Sequence, residues 1–279
     1  MTFSKWNVDR SELANEVPEG LSKLKKTLPK NAPILIDIGS WQCRVGYGGD
    51  PNPCMVFDPF VHRVNDKNGA VSFSIGRNAP QGASKSSSRS PFDQGLLIHF
   101  TSFERILDHV FESFKVSDKV SNPLIITQPY MFPEYIREEL LEMLFEGYRI
   151  PRVCIVPDFL ASFKFNNPEA KDGLVISFGN SFTTIAVVLD CKVQSAKVLD
   201  FGGSQATDLL LKMIQCKYPN FPVKMTPHQA QYILMNACYV ANDYKSDIEA
   251  LEHADGIKKV DFVVQYPYPK VDKQLEAER

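Results

Sequence analysis

The chain has 279 residues, enough for two domains or for the two lobes of one bilobal fold. Its 44% hydrophobic and 23% charged content is ordinary for a soluble globular protein. A formal charge of −2 gives no global attraction to nucleic acid or to anionic membrane, and no apolar run approaches the ~18 residues of a membrane span.

The opening residues Met1-Thr2-Phe3-Ser4-Lys5-Trp6 carry no apolar stretch of the kind that directs export. Residues 1–31 read as a polar, solvated lead-in. Lys23, Lys25, Lys26 and Lys30 lack the interleaved aromatics of a nucleic-acid patch. Ile34-Leu35-Ile36-Asp37-Ile38-Gly39-Ser40 is then an apolar run ending in a Gly-Ser turn, followed by Cys43-Arg44-Val45-Gly46-Tyr47. This pattern is a buried strand, a tight turn and a returning strand. Phe57 to Gly82 mixes short apolar pieces with Pro, Asn, Asp and Gly, as an irregular hairpin or surface insertion would, and Ser84 to Ser90 is a low-complexity loop. Together they mark an irregular insertion over about 57–90.

A βα pattern follows. Phe103, Ile106, Leu107, Val110, Phe111 and Phe114 line one face of a helix. Leu124-Ile125-Ile126-Thr127 is a short buried strand, and Pro133 opens a helix carrying Ile136, Leu140, Met143 and Leu144 that closes near Gly147. Val153-Cys154-Ile155-Val156 is another strand, and a helix starts over Pro157-Asp158-Phe159.

Leu174-Val175-Ile176-Ser177-Phe178-Gly179-Asn180, followed by Thr183-Thr184-Ile185-Ala186-Val187-Val188, repeats the first hairpin, and a third strand extends through Lys192–Val198. Two such hairpins facing one another can clamp a nucleotide's phosphates with backbone N–H groups and hold its metal with an Asp. The first copy has Asp37, whereas the second has Ser177 in the equivalent place. Beyond it, Asp200-Phe201-Gly202-Gly203-Ser204 leads into a helix expected to turn Ala206, Leu209, Leu210, Met213 and Ile214 inward. Thr226-Pro227-His228-Gln229 has the form of a capping box, and the helix it starts groups Ile233, Leu234, Ala237 and Cys238 on one side. Lys270 to Arg279 is a charged tail. The six cysteines are scattered, with no Cys-x-x-Cys pair and no histidine in metal spacing. They are expected to be reduced and mostly buried.

The order of these parts resembles the actin superfamily over roughly residues 33–245. The resemblance is carried by Asp37-Ile38-Gly39-Ser40 with Arg44, by Gly46-Tyr47-Gly48-Gly49-Asp50, and by Leu144-Phe145-Glu146 through Ile150-Pro151. The hairpin at 173–184 and Cys238-Tyr239-Val240-Ala241 follow in the same order. Arg89-Ser90-Pro91-Phe92-Asp93, Leu144-Phe145-Glu146-Gly147-Tyr148, Gly202-Gly203-Ser204-Gln205-Ala206 and Lys217-Tyr218-Pro219 are similar to the actin-related protein 5 branch and unlike conventional actin. The fold so implied is α/β: an actin-like (ribonuclease H-like) bilobal fold with mixed sheets flanked by helices. Its first lobe would span 32–172, and 173–279 would form a second lobe that is incomplete, as in a C-terminally truncated form.

For the site, the resemblance implies a nucleotide cleft built from Asp37, Gly39, Ser40, Arg44, Gly179, Asn180, Thr183, Gly202 and Gly203. Its chemistry is altered. Trp41 stands in place of a glycine, Asp158 in place of the water-orienting glutamine, and Ser177 and Asn180 in place of acids. A hydroxyl and an amide do not supply the charge that holds Mg²⁺ close. The stretch before Cys238 that would grip ribose and base, Gln231 to Asn236, is largely apolar. Each residue also has a plainer reading: Trp41 as a packed aromatic, Asp158 as a helix N-cap, Thr183 and Thr184 as sheet alternation, and Gly202 and Gly203 as a strand-to-helix turn. No catalytic residue and no metal ligand is therefore expected, and ATP would bind weakly at most.

Members of the branch are nuclear subunits of Ino-eighty-type chromatin remodellers. The resemblance thus implies a non-catalytic subunit whose partners are the remodelling ATPase motor and other subunits. It would meet the nucleosome, histones and DNA, through the complex, with no role for membrane. Two alternatives use the same twin hairpins: an actin-type ATPase or filament-forming cytoskeletal protein, and a sugar or acid kinase of the wider superfamily. The altered turns oppose the first, and no substrate-side Asp base supports the second.

Overall fold

The structure, a computed structural model, describes residues 29, 31–65, 70–76, 88–116, 120–130, 132–220, 225 and 227–253. The lysine-bearing lead-in, most of the serine-rich loop, Thr226 and the charged tail lie outside the described residues. The chain divides into two compact units, one running to Gly203 and one starting at Ser204.

In the first unit, β1 (Ile34–Ile38) pairs antiparallel with β2 (Cys43–Tyr47), placing Asp37 opposite Arg44. β3 (Met55–Phe57) pairs with β2. The stretch read as an irregular insertion contains a regular antiparallel sheet, in which β4 (Val61–Asn65) lies between β5 (Val71–Ile75) and β6 (Ser88–Arg89). A short hairpin, β7 (Phe92–Asp93) with β8 (Leu96–Leu97), leads into α1 (Phe100–Ser113). β9 (Leu124–Gln128) joins β1 in parallel. α2 (Glu134–Glu142) is capped by Pro133 and continues into a π-helical turn over Met143–Gly147. β10 (Val153–Pro157) pairs parallel with β9, completing the order β10-β9-β1-β2-β3, and leads into α3 (Asp158–Asn166).

The core lies on one face of this mixed sheet. Side chains alternate along a strand, so Ile34 and Ile36 point one way and Leu35 and Asp37 the other. Ile34, Ile36, Val45, Leu124 and Ile126 are buried with Phe103, Leu107, Val110 and Phe111 of α1 and Ile136 and Leu140 of α2. Each of these large side chains contributes roughly 1.5–3 kcal/mol through burial. Tyr148 fixes the end of the π-helical turn to α1, donating to Asp108 Oδ1 at 2.7 Å and to the Glu104 carbonyl at 3.0 Å.

A second sheet in the same unit contains β11 (Gly173–Phe178), β12 (Thr183–Leu189) and β13 (Lys192–Leu199), all antiparallel. It repeats the β1-β2-β3 meander. In the first sheet the other side of β1 is paired by β9; among the described residues no strand pairs the corresponding side of β11. Leu174, Ile176 and Phe178, alternating along β11, are exposed.

The second unit contains helices α4 (Gly203–Lys217), α5 (Pro227–Ala237) and α6 (Tyr244–His253), with Thr207, Met225 and Ala230 buried. The inward face expected for α4 is corrected here: Leu209 and Met213 are exposed, as is Cys238 after α5. Periodicity shows which residues share a face, not whether anything covers it. The cysteine expectation changes too. All six are free thiols, but only Cys43 is buried; Cys54 and Cys191 are half-buried, and Cys154, Cys216 and Cys238 are exposed. Among the described residues no helix is long and apolar enough to cross a membrane.

Candidate functional site: the twin turns

Both hairpins turn on a glycine that faces the carbonyl three residues on. A Cβ at Gly39 would lie 2.5 Å from the Gln42 oxygen, and one at Gly179 would lie 2.8 Å from the Phe182 oxygen. That approach is closer than side chains tolerate, which is why both copies need glycine. The Gly179 N–H donates to the Phe182 carbonyl at 2.8 Å, closing the second turn.

Asp37, the penultimate residue of β1, has both carboxylate oxygens engaged. Oδ1 accepts from Thr127 Oγ1 at 2.6 Å, and Oδ2 accepts from the Arg44 guanidinium at 3.1 Å. Arg44 also donates to Gln42 Oε1 at 3.1 Å, so its charge is turned onto its own hairpin. Both partners of the ion pair are partly exposed, which limits its strength to about 0–1 kcal/mol.

The two turns meet. Ser40 Oγ lies 3.0 Å from Ser181 Oγ, and Asn180 Nδ2 donates to Ser40 Oγ at 3.1 Å. At hydrogen-bond separation no further atom fits between those side chains. Thr183, buried on β12, donates to the Phe201 carbonyl at 2.7 Å. Gly202 is pressed against the second turn: a Cβ there would lie 2.5 Å from the Asn180 oxygen and 2.6 Å from the Gly179 oxygen. The Gly203 N–H donates to the Gly179 carbonyl at 3.1 Å. Asp37, Gly39, Ser40 and Arg44 thus form one turn, and Gly179, Asn180, Thr183, Gly202 and Gly203 gather at the other.

The electrostatics of the two copies differ. Ser177 pairs with Thr184 across β11 and β12, where the first sheet has the Asp37–Arg44 ion pair. Asp158 is the first residue of α3 and not its N-cap, which is Pro157; its Oδ1 accepts the Phe159 N–H at 2.7 Å. Partial burial of the Asp158 carboxyl pushes its pKa above the usual carboxylate value; the Phe159 N–H pulls against that, and the Asp37 charge adds a smaller upward push. Trp41 is half-buried beside the first turn. Among the described residues no group of three or more His, Cys, Asp or Glu is placed to hold a metal ion.

A cavity of about 250 Å³ opens on the sheet face below Asp37, lined by Leu35, Asp37, Arg44, Ile125, Thr127 and Val156 among others. None of its lining residues comes from the second hairpin. Three contributors escaped sequence reasoning. Thr127 lies at the C-terminal end of a neighbouring parallel strand, one residue before its last, where α/β sheets gather functional groups, and that position was the available signal. Ser181 and Gln42 occupy turn positions that no local pattern distinguishes.

The actin family model matches residues 28–254. Actin-like protein arp5 of Schizosaccharomyces pombe is 34% identical over 91% of this chain. Actin-related protein 5 of Dictyostelium discoideum is 32% identical over 96% of the chain, and the human protein of that name 30% identical over 86%. These matches cover 36%, 40% and 42% of the relatives' own lengths, so the chain spans well under half of each. With a match through both hairpins and across most of its length, the chain belongs to the actin family.

Proposed function

We propose that this actin-related chain is a non-catalytic, scaffolding subunit of a nuclear Ino-eighty-type chromatin-remodelling complex. Its partners are the remodelling ATPase motor and other subunits, with the nucleosome engaged through the assembly. One observation carries the non-catalytic part: Ser40, Asn180 and Ser181 bind one another across the place where phosphates would enter. Phosphoryl transfer needs room for the phosphates, a metal held by acids, and an oriented nucleophile. Asp37 is already held by Thr127 and Arg44, and Ser177 and Asn180 are neutral. In this arrangement the residues present do not fit a magnesium-bound triphosphate. The choice of assembly is supported by the likeness to proteins named actin-related protein 5 and by the branch motifs at residues 89–93 and 202–206.

Affinity purification of the tagged chain from nuclear extract, with its co-purifying subunits identified, tests the proposal. A remodelling ATPase and its accessory subunits are the expected companions. Recovery with filaments or cytoplasmic motors, and without a remodelling ATPase, overturns it.

A further inference from the structure

Away from the twin turns, a nitrogen and a sulfur nucleophile are held together where the chain leaves β12 for β13. The connecting residues Asp190 and Cys191 both have positive φ, 47° and 60°. A two-residue hairpin turn of this kind ordinarily places glycine second. Here a cysteine takes that slot, in a backbone region that side chains other than Asn and Asp rarely adopt.

The turn is pinned. The Asp190 N–H donates to Asp172 Oδ1 at 2.7 Å, and the Cys191 N–H donates to the Lys171 carbonyl at 2.8 Å. Lys164 reaches in from α3, its Nζ donating to the Ala170 carbonyl at 2.8 Å and to Cys191 Sγ at 2.9 Å. The amine is therefore aimed at the sulfur by a fixed carbonyl, and both side chains are half-buried, reachable by a small molecule.

We propose that Cys191 and Lys164 form an oxidation-dependent cross-link, closed by a peroxide-class oxidant, that staples α3 to the β12–β13 turn. The thiolate sulfur attacks one peroxide oxygen; the S–O bond forms as the O–O bond breaks, leaving a sulfenic acid and hydroxide. The Lys164 ammonium gives that hydroxide a proton, making water, and becomes a neutral amine. Its lone pair then attacks the sulfenic sulfur. The S–N bond forms, the S–O bond breaks, and the departing hydroxide takes a proton from nitrogen as a second water. Peroxide is reduced by two electrons, and the thiol–amine pair is oxidised by two.

The full chain is treated with hydrogen peroxide, its remaining thiols are blocked, and its peptides are weighed. The expected result is the Lys164 peptide joined to the Cys191 peptide, lighter than the two reduced peptides together by two hydrogens and separated by a thiol reductant. Lys164→Arg keeps the positive charge but removes the amine. It should abolish the link and raise trapping of the Cys191 sulfenic acid by a cyclic diketone probe several-fold. Oxidation of Cys191 only to sulfinic or sulfonic acid, a disulfide at Cys191, a linked pair that retains oxygen, or a link that survives Lys164→Arg overturns the proposal.

Discussion

Thr127 holds Asp37 from one strand away, donating its hydroxyl to Oδ1 at 2.6 Å while accepting the Ile38 N–H at 3.1 Å. One hydroxyl thus satisfies both the Asp37 carboxylate and the backbone that leads into the first turn. Thr127→Val strips both bonds and should destabilise the first unit by about 1–3 kcal/mol. Thr127→Ser should recover most of that loss in urea unfolding.

The tight seating of Gly202 on the second turn gives a second expectation. A methyl group there meets two carbonyl oxygens at 2.5 and 2.6 Å, and its nearest neighbours are all backbone atoms of the second turn, with no flexible side chain among them to yield. Gly202→Ala should cost roughly 1–3 kcal/mol. If the variant unfolds at the wild-type urea concentration, the contact is not as tight as described.

Cys43 should be chemically silent. Burial, and next the Asp37 charge, push its thiol pKa up to about 12, so little thiolate is present at pH 8. Alkylation of the native chain should modify the exposed Cys154, Cys216 and Cys238 first and leave Cys43 unlabelled until denaturant is added.

His109 gives a pH dependence with a definite sign. It packs edge-on against Phe57, ring centres 5.7 Å apart, and burial lowers its pKa below 6.5, only partly opposed by Glu112. Between that lowered value and 6.5 the unfolded chain binds more protons than the folded one, so stability rises with pH across that window. Acidification through 6.5 should therefore weaken the fold, and His109→Gln should flatten that part of the curve. An unchanged slope in the variant contradicts the assignment.

Asp158 tests the charge coupling across the site. Its carboxyl should titrate above the usual value in an NMR titration, and Asp37→Asn should move it back toward normal by removing the like charge that adds to the effect of burial. A raised pKa here means that the fold favours the protonated acid. That contribution is full below pH 3.8 and is lost as pH rises through the folded value, so at neutral pH the ionised group contributes none of it.

Much of this was legible because it is local. Gly39 and Gly179 announce themselves as glycines ending apolar runs, and the spacing of Phe103 through Phe114 on α1 requires only a helix. Thr127 was not legible as a partner of Asp37, because their contact spans 90 positions and depends on parallel pairing of β1 with β9. The Ser40–Ser181 contact depends likewise on two hairpins meeting. The exposure of Leu209 and Met213 was missed because an apolar stripe on a helix does not identify what packs on it.

Hydrolysis of magnesium-ATP by the purified chain tests the central claim most directly, with Asp37→Ala as its control. With Ser40 and Ser181 in contact and Asp37 committed to Thr127 and Arg44, turnover should not rise above the protein-free rate, and the variant should behave as the wild type does. Magnesium-dependent turnover that disappears in Asp37→Ala would contradict the account.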